Sequence, residues 1–514
     1  MADILLTHSY HLFYDVKQVR KMQPYPPLGT LYAAALLRQQ GFSVALFDAM
    51  LEDPERGFVA ALEQHRPQIV AVYEDNFNFL SKMCLTRMRQ VAYSAMEAAR
   101  RSGAFVIVNG SDATDHTEDY LRQGADFVLI GEAEQTLLEL SRALLGKSVA
   151  DPQSIPGLSC IDRRSHGLHR SAARPLMPNL DMIPSPARDL IDIGAYRRTW
   201  KAAHDFFSLN LVASRGCPYH CNWCAKPIYG QTFHVRSAAS VAAEMKQLKE
   251  IYQAEHVWFA DDIFGLKPGW LLELAGHVES LQAKIPFKAQ CRIDLMTEAN
   301  VRALQRAGCA EVWLGVESGS QRILDAMEKG TRVQDVMIVR KRLGASGIRA
   351  CFFLQFGYPG EDWDDIQATI RLVRDTQPDD IGVSVSYPLP GTKFYDRVSA
   401  QLGEKRNWID SDDLAVMFKG AYRNEFYHAL RTALHADVDC RRGHRAVTSA
   451  HVEDSERKPV PASDLTRLWT RVEELEKTCR NTDRTLLPTL PETAPRRRRS
   501  YADAVVSDGQ TSIS

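Results

Sequence analysis

The chain has 514 residues, of which 45% are hydrophobic and 25% charged, and a formal net charge of -1. At about 100 to 200 residues per domain this predicts two or three domains, and the composition excludes wholesale disorder. A near-zero charge excludes a global basic field, so neither nucleic acid nor an anionic membrane is expected as a partner. The N-terminus, Met1-Ala2-Asp3-Ile4-Leu5-Leu6, lacks the basic start and long apolar run of a secretory signal. No uncharged apolar stretch is long enough to predict a membrane span. A cytoplasmic enzyme is the expectation, with its ten cysteines mostly reduced.

Residues 3–145 alternate short apolar runs (Ile4-Leu5-Leu6, Val44 to Phe47, Ile69 to Val72, Phe105 to Val108, Phe127 to Ile130) with helix-length segments such as Leu28 to Gln40 and Ser81 to Arg101. Continuous apolar strands between helices predict a parallel sheet covered on both faces. The expectation over 1–150 is thus a five-stranded doubly wound domain whose ligand lies beyond the strands' carboxyl ends, at the loops after Leu6, Val72 and Val108.

Residues 151–200 are Pro-rich and read as a linker, in which Leu158 to Ile161 and Gly167 to His169 could pair as a small hairpin. Over 201–397 six further strands are predicted, at Leu209 to Ala213, His256 to Phe259, Phe287 to Gln290, Glu311 to Leu314, Ala350 to Gln355 and Gly382 to Ser386. Helical stretches separate them, so a partial (β/α)6 barrel is expected, with chemistry at its carboxyl ends. Residues 398–480 read as helical, most strongly from Asp410 to Leu434 and from Leu465 to Thr478. The 481–514 tail, with Arg496 to Arg499, reads as disordered.

Seven cysteines are scattered and read as small buried hydrophobes. The other three stand together in Ser214-Arg215-Gly216-Cys217-Pro218-Tyr219-His220-Cys221-Asn222-Trp223-Cys224, after the first barrel strand. Three soft thiolates in one loop select zinc or an iron–sulfur cluster. Zinc would want a fourth ligand, for which His220 and His234 are the nominees.

Here the sequence resembles the radical S-adenosylmethionine (SAM) superfamily, whose signature is Cys-x-x-x-Cys-x-aromatic-Cys with Trp223 in the aromatic place. The resemblance implies a [4Fe-4S] cluster on Cys217, Cys221 and Cys224, its fourth iron open to the methionine end of SAM. It also implies contacts to SAM from Asp261 and Asp262 after the second barrel strand, from Arg292 after the third, and from Glu317 and Ser318 after the fourth. Gly357 to Glu361 and Tyr387 to Thr392 resemble the closing loops.

The preceding domain resembles the cobalamin-binding subclass of that superfamily at Pro26-Pro27-Leu28-Gly29, at Gly131-Glu132-Ala133-Glu134 and at Asn179 to Arg188. The resemblance implies cobalamin near Gly110 and Gly131. Two departures stand out. Thr7-His8-Ser9-Tyr10-His11 has no Asp-x-His-x-x-Gly, so cobalt bound without a protein histidine is expected, with His8 and His11 as minor candidates. Val108-Asn109-Gly110 replaces the usual paired glycines. The competing nicotinamide or flavin reading requires Gly-x-Gly-x-x-Gly after the first strand, and Thr7 to Asp15 contains no glycine.

The implied activity is reductive cleavage of SAM to a 5′-deoxyadenosyl radical and methylation of an unactivated carbon in a small-molecule substrate. The electron would come from a flavodoxin- or ferredoxin-like donor. The alternatives are a radical cyclase or oxidoreductase of the porphyrin-cyclase type, and a non-enzymatic cobalamin or redox sensor.

Overall fold

The computed structural model describes residues 1–83, 85–162, 165–443 and 461–481. Its first sheet carries β1 (Ile4–Thr7), β2 (Val44–Phe47), β3 (Ile69–Tyr73), β4 (Phe105–Asn109) and β5 (Phe127–Leu129), all parallel, in the order β2-β1-β3-β4-β5. These are the five predicted strands, and β1, β3 and most of β4 are buried on both faces, as their apolar runs require.

The sheet does not end at β5. The linker hairpin, β6 (Leu158–Ile161) and β7 (Leu168–Arg170), joins it antiparallel, so the expected five strands become seven. The edge of β5 would otherwise leave backbone groups unpaired, and the hairpin satisfies them.

The second sheet contains β8 (Ser208–Leu211), β11 (His256–Phe259), β12 (Phe287–Cys291), β13 (Cys309–Glu317), β14 (Arg349–Phe356) and β15 (Asp380–Val385), in spatial order β15-β14-β13-β12-β11-β8 and parallel throughout. A short ladder of β9 (Ser214–Arg215) with β10 (His234–Val235) closes the cysteine loop. This is the expected six-stranded open barrel.

The two units share one core, in which Tyr10, Leu12, Tyr25 and Met88 pack with barrel residues. Segment 23–27 seals the exposed barrel edge at β8: Trp200 Nε1 donates to Pro24 O at 2.7 Å and Asn210 Nδ2 to Pro26 O at 2.7 Å. The Pro-rich linker is pinned by Arg188, which donates to Glu244 and to Asn210 O, each at 2.9 Å, in a fully buried pair.

The C-terminal region departs from expectation. The helix begins at Asn424, not Asp410, and runs Asn424–Gly443. Upstream, Asp410 and Asp413 turn their carboxylates onto local backbone, accepting from Asp412 N at 2.9 Å and from Ile409 N at 3.0 Å. Aspartates that bond nearby amides compete with helix in this way. The freed segment instead reaches the first domain, where Asp15 accepts from Ser411 Oγ at 2.7 Å. The second helix, Ala462–Cys479, packs on the first. Phe418, Tyr422 and Phe426 are buried core residues. The 482–514 tail with its arginine run lies outside the described residues. Among the described residues no helix is long and apolar enough to cross a membrane.

Candidate active site between the two domains

Cys217, Cys221 and Cys224 are half-buried in the loop between β9 and β10. Gly216 makes the entry possible: its φ is +80°, and a Cβ there would stand 2.4 Å from Thr232 O. Asn222, inside the cysteine spacing, anchors the loop. Its side chain donates to Ala326 O at 2.7 Å and accepts from Tyr358 Oη at 2.9 Å, and its amide reaches Met327 O at 3.1 Å. Lys226 Nζ donates back to Tyr219 O at 2.7 Å.

Burial pushes the Cys217 thiol up and the Cys224 thiol up to about 12, against the pull of Lys226, and each is raised further by its neighbouring cysteines. Buried thiols held close together carry their negative charge only on a cation, so this donor set fits a soft metal centre. Among the described residues no three His, Cys, Asp or Glu side chains converge tightly enough for a single ion. A [4Fe-4S] cube would take one thiolate on each of three irons.

Around the loop stand the residues singled out in the sequence. Asp261, fully buried after β11, accepts from Ala213 N at 3.0 Å and from Ser214 Oγ, and burial pushes its carboxyl up to about 7. Asp262 points the other way and pairs with Lys82 of the first domain at 2.5 Å. Arg292, after β12, lies 3.7 Å above the Tyr219 ring centroid, donates to Asp294 at 2.9 Å and to Lys329 O at 2.8 Å, and brings Nη1 to 3.9 Å from Cys221 Sγ.

Glu317 ends β13 at φ +62°, beside a register shift in the β13–β14 pairing. A non-glycine residue held in this region costs about 1–3 kcal/mol, and such strain gathers at functional sites. Its carboxylate accepts from Lys329 Nζ. The Ser318 hydroxyl is engaged within the protein, with Thr369 at 3.3 Å and Ser320 N at 3.1 Å.

At the carboxyl edge of the first sheet, polar side chains stitch the loops together. Glu74 accepts from Ser9 N at 3.1 Å across the β1/β3 switch point. Asn76 donates to Asn109 Oδ1 at 2.9 Å, and Asn109 donates to Leu129 O at 3.0 Å and Gly131 O at 3.2 Å. The unexpected Asn109 therefore ties three strand ends. Asp75 caps the helix Leu28–Gln39 by accepting from Gly29 N at 3.0 Å. Gly110 faces Glu74, whose Cγ a Cβ would meet at 2.7 Å, and Gly131, at φ +70°, abuts Ile228 O of the second domain. His11 Nδ1 bonds Ala49 O at 2.8 Å, while His8 Nε2 pairs with Asp48 at 2.9 Å.

Several buried polar atoms at this edge lack a hydrogen-bond partner: His8 Nδ1, Tyr10 Oη, Asn76 Oδ1, Ser111 Oγ and Thr114 Oγ1. They follow β1, β3 and β4, where such a fold binds ligands. Unpaired buried groups are costly, so this edge fits a ligand fringed with donors and acceptors, as the amide-bearing corrin of cobalamin is.

Sequence reasoning quoted but did not assign Arg215 and Tyr219, and it did not single out Lys82, Lys226 or Lys329. An arginine directly after an apolar strand was the one available signal. Arg215, Tyr219 and Lys82 meet partners more than 70 positions away, whereas Lys226 reaches Tyr219 within the loop and Lys329 reaches Glu317 12 positions back.

A doubly wound sheet whose carboxyl edge meets a three-cysteine loop on an open barrel defines a two-cofactor class. The B12 binding domain matches residues 22–141 and the Radical SAM superfamily residues 211–373, so the chain joins a B12 binding domain to a radical SAM domain. It is 27% identical over 391 residues to an uncharacterized methyltransferase, PH0819, of Pyrococcus horikoshii, covering 74% of this chain and 81% of that one. It is 24% identical over 417 residues to the hopanoid C-3 methylase of Methylococcus capsulatus, covering 79% and 75%. The radical SAM methyltransferase TsrM from Kitasatospora setae, solved with cobalamin and a [4Fe-4S] cluster bound, shares the fold at a TM-score of 0.64 and 19% identity, over 78% of this chain and 75% of that one.

Proposed function

We propose that this enzyme methylates an unactivated carbon of a small molecule, using a [4Fe-4S] cluster, SAM and cobalamin. The observation that carries this reading is that the carboxyl edges of both sheets meet at the cysteine loop, bridged by Arg215 to Glu132 and Glu134 and by Asp262 to Lys82. The methyltransferase names of its relatives support it.

When bound, the cluster would supply the electron that cleaves SAM to a 5′-deoxyadenosyl radical, and the cobalamin would carry the methyl group. Cys217, Cys221 and Cys224 would hold the cluster. Asp262, which pairs with Lys82, would accept from the methionine ammonium, and Arg292, pre-oriented by Asp294 and Tyr219, would pair with the methionine carboxylate. Asp261 holds the approach to the loop through Ser214. Glu317 and Ser318 stand on the strained turn that would meet the ribose and methionine carboxylate of SAM. Gly110 and Gly131 let the backbone approach the corrin. The shared core excludes water that would quench a radical, and a flavodoxin- or ferredoxin-like protein delivers the electron.

Anaerobic reconstitution with iron, sulfide and methylcobalamin, followed by mass spectrometry, tests this. The expected products are 5′-deoxyadenosine, S-adenosylhomocysteine and a methylated acceptor. S-adenosylhomocysteine without 5′-deoxyadenosine would contradict hydrogen abstraction. 5′-Deoxyadenosine without methyl transfer would favour a cyclase or oxidoreductase, and neither product would favour a sensor.

A further inference from the structure

We infer that Arg215 is a positioning residue that fixes the cysteine loop against the cobalamin domain and so sets the distance between the two cofactors. The part concerning cofactors rests on the reading proposed above.

Arg215 is 4% exposed, yet it belongs to the barrel domain while its partners belong to the first domain, in the loop after β5 and at the start of the helix that follows. One guanidinium nitrogen donates to Glu132, the other to Glu134 Oε1 at 2.7 Å, and both carboxylates are buried. Tyr32, Phe77 and Tyr229 surround the cation, with ring centroids 5.8, 5.4 and 5.3 Å from Cζ. A planar fork can serve two carboxylates and three rings together, which an ammonium cannot.

The connections on either side have no slack. Arg215 is paired with His234 in the β9–β10 ladder, and Cys217 follows after Gly216, whose backbone lies against Thr232 O. Across the interface Glu132 also accepts from Met177 N at 2.5 Å and follows Gly131, whose carbonyl Asn109 holds. The cavity beside the guanidinium is about 10 Å³, room for one water at most. A shift of the loop after β5 must therefore move the first cysteine. A clamp serving stability alone could sit anywhere on the interface; this one stands two residues from Cys217.

The test uses the full chain as wild type, Arg215→Gln, Arg215→Lys and Glu134→Gln, loaded with cluster and cobalamin. Pulsed dipolar electron resonance between the reduced cluster and the Co(II) form reads their separation. The wild type is expected to give one narrow distance distribution. Arg215→Gln should keep wild-type iron, sulfide and cobalt contents yet broaden that distribution, with methyl transfer reduced on the order of 100-fold, the effect of about 1 Å of misplacement. Arg215→Lys should restore part of the narrowness.

An unchanged distribution in Arg215→Gln overturns the inference. Should that variant fail to fold, Glu134→Gln is read by the same criterion. Hydrogen exchange on the cofactor-free chains gives a second arm: loss of the clamp should speed exchange at 131–134 and 216–224 together, and acceleration on one side alone overturns the mechanical link. A wild type that takes up no cobalamin sinks the proposed function and leaves the exchange result standing.

Discussion

The Lys329 ammonium and the Glu317 carboxylate meet at 2.7 Å, both buried, directly over Gly315. A Cβ on Gly315 would stand 2.7 Å from Lys329 Nζ and 2.8 Å from Glu317 Oε1. The pair braces the strained end of β13.

Breaking it from one side strands a buried charge, which costs about 3–5 kcal/mol. Lys329→Met should therefore lower unfolding free energy by about that amount, and the double variant with Glu317→Gln should recover most of it. Denaturant titration of the three chains checks this; a double variant no better than Lys329→Met would show that the carboxylate was not the source of the loss.

Lys82 and Asp262 make the opposite kind of pair, with side chains 19% and 31% exposed. Partial exposure screens it, so Lys82→Ala should cost less than about 1 kcal/mol. At about 1 M salt the difference from wild type should shrink further. Urea midpoints at low and high salt measure it, and a cost above about 2 kcal/mol would mean the pair is coupled to packing.

Glu361 supplies a pH signature. Burial pushes its carboxyl up to about 8, opposed by the Gly357 amide that donates to Oε2 at 2.5 Å, while Oε1 has no partner. The folded-state value is raised, so its stabilising contribution is complete below the ordinary carboxyl range and is lost as pH rises through about 8. Glu361→Gln cannot ionise. Its Tm relative to wild type should rise from about pH 5 to about pH 8 and level off above that, and a constant difference would contradict the assignment.

Cysteine substitutions separate ligands from core. Cys217→Ala, Cys221→Ala and Cys224→Ala should each abolish the cluster's visible absorbance and most of the bound iron. Cys291 and Cys351 are buried in β12 and β14, their thiols pushed up by burial; replacing either by Ala should leave iron content unchanged. Retained iron in all three loop variants would refute the cluster assignment.

Much of this was legible in the sequence. Apolar runs of three to five residues set the strands because a strand buried on both faces must be continuously apolar, and Cys217, Cys221 and Cys224 were visible because ligand spacing within one loop is local information. The helix expected from Asp410 starts at Asn424, since Asp410 and Asp413 satisfy local amides that a periodicity reading leaves to the helix, whereas the one expected over Leu465 to Thr478 lies within Ala462–Cys479. The hairpin of β6 and β7 could be read as a hairpin, but that it would extend the sheet could not, because an unpaired edge exists only once β5 is in place.

The sequence by itself thus determined which residues can ligate and in what order the strands run. Only the tertiary structure decided that Arg215 reaches Glu132 and Glu134, that Asp262 turns to Lys82 and that the Ser318 hydroxyl is already engaged. Each of these rests on partners 50 or more positions away, about 80 for Arg215 and 180 for Asp262. Ion pairs and buried hydrogen bonds depend on distance in space and on exclusion of water, and neither is set until the two sheets have packed.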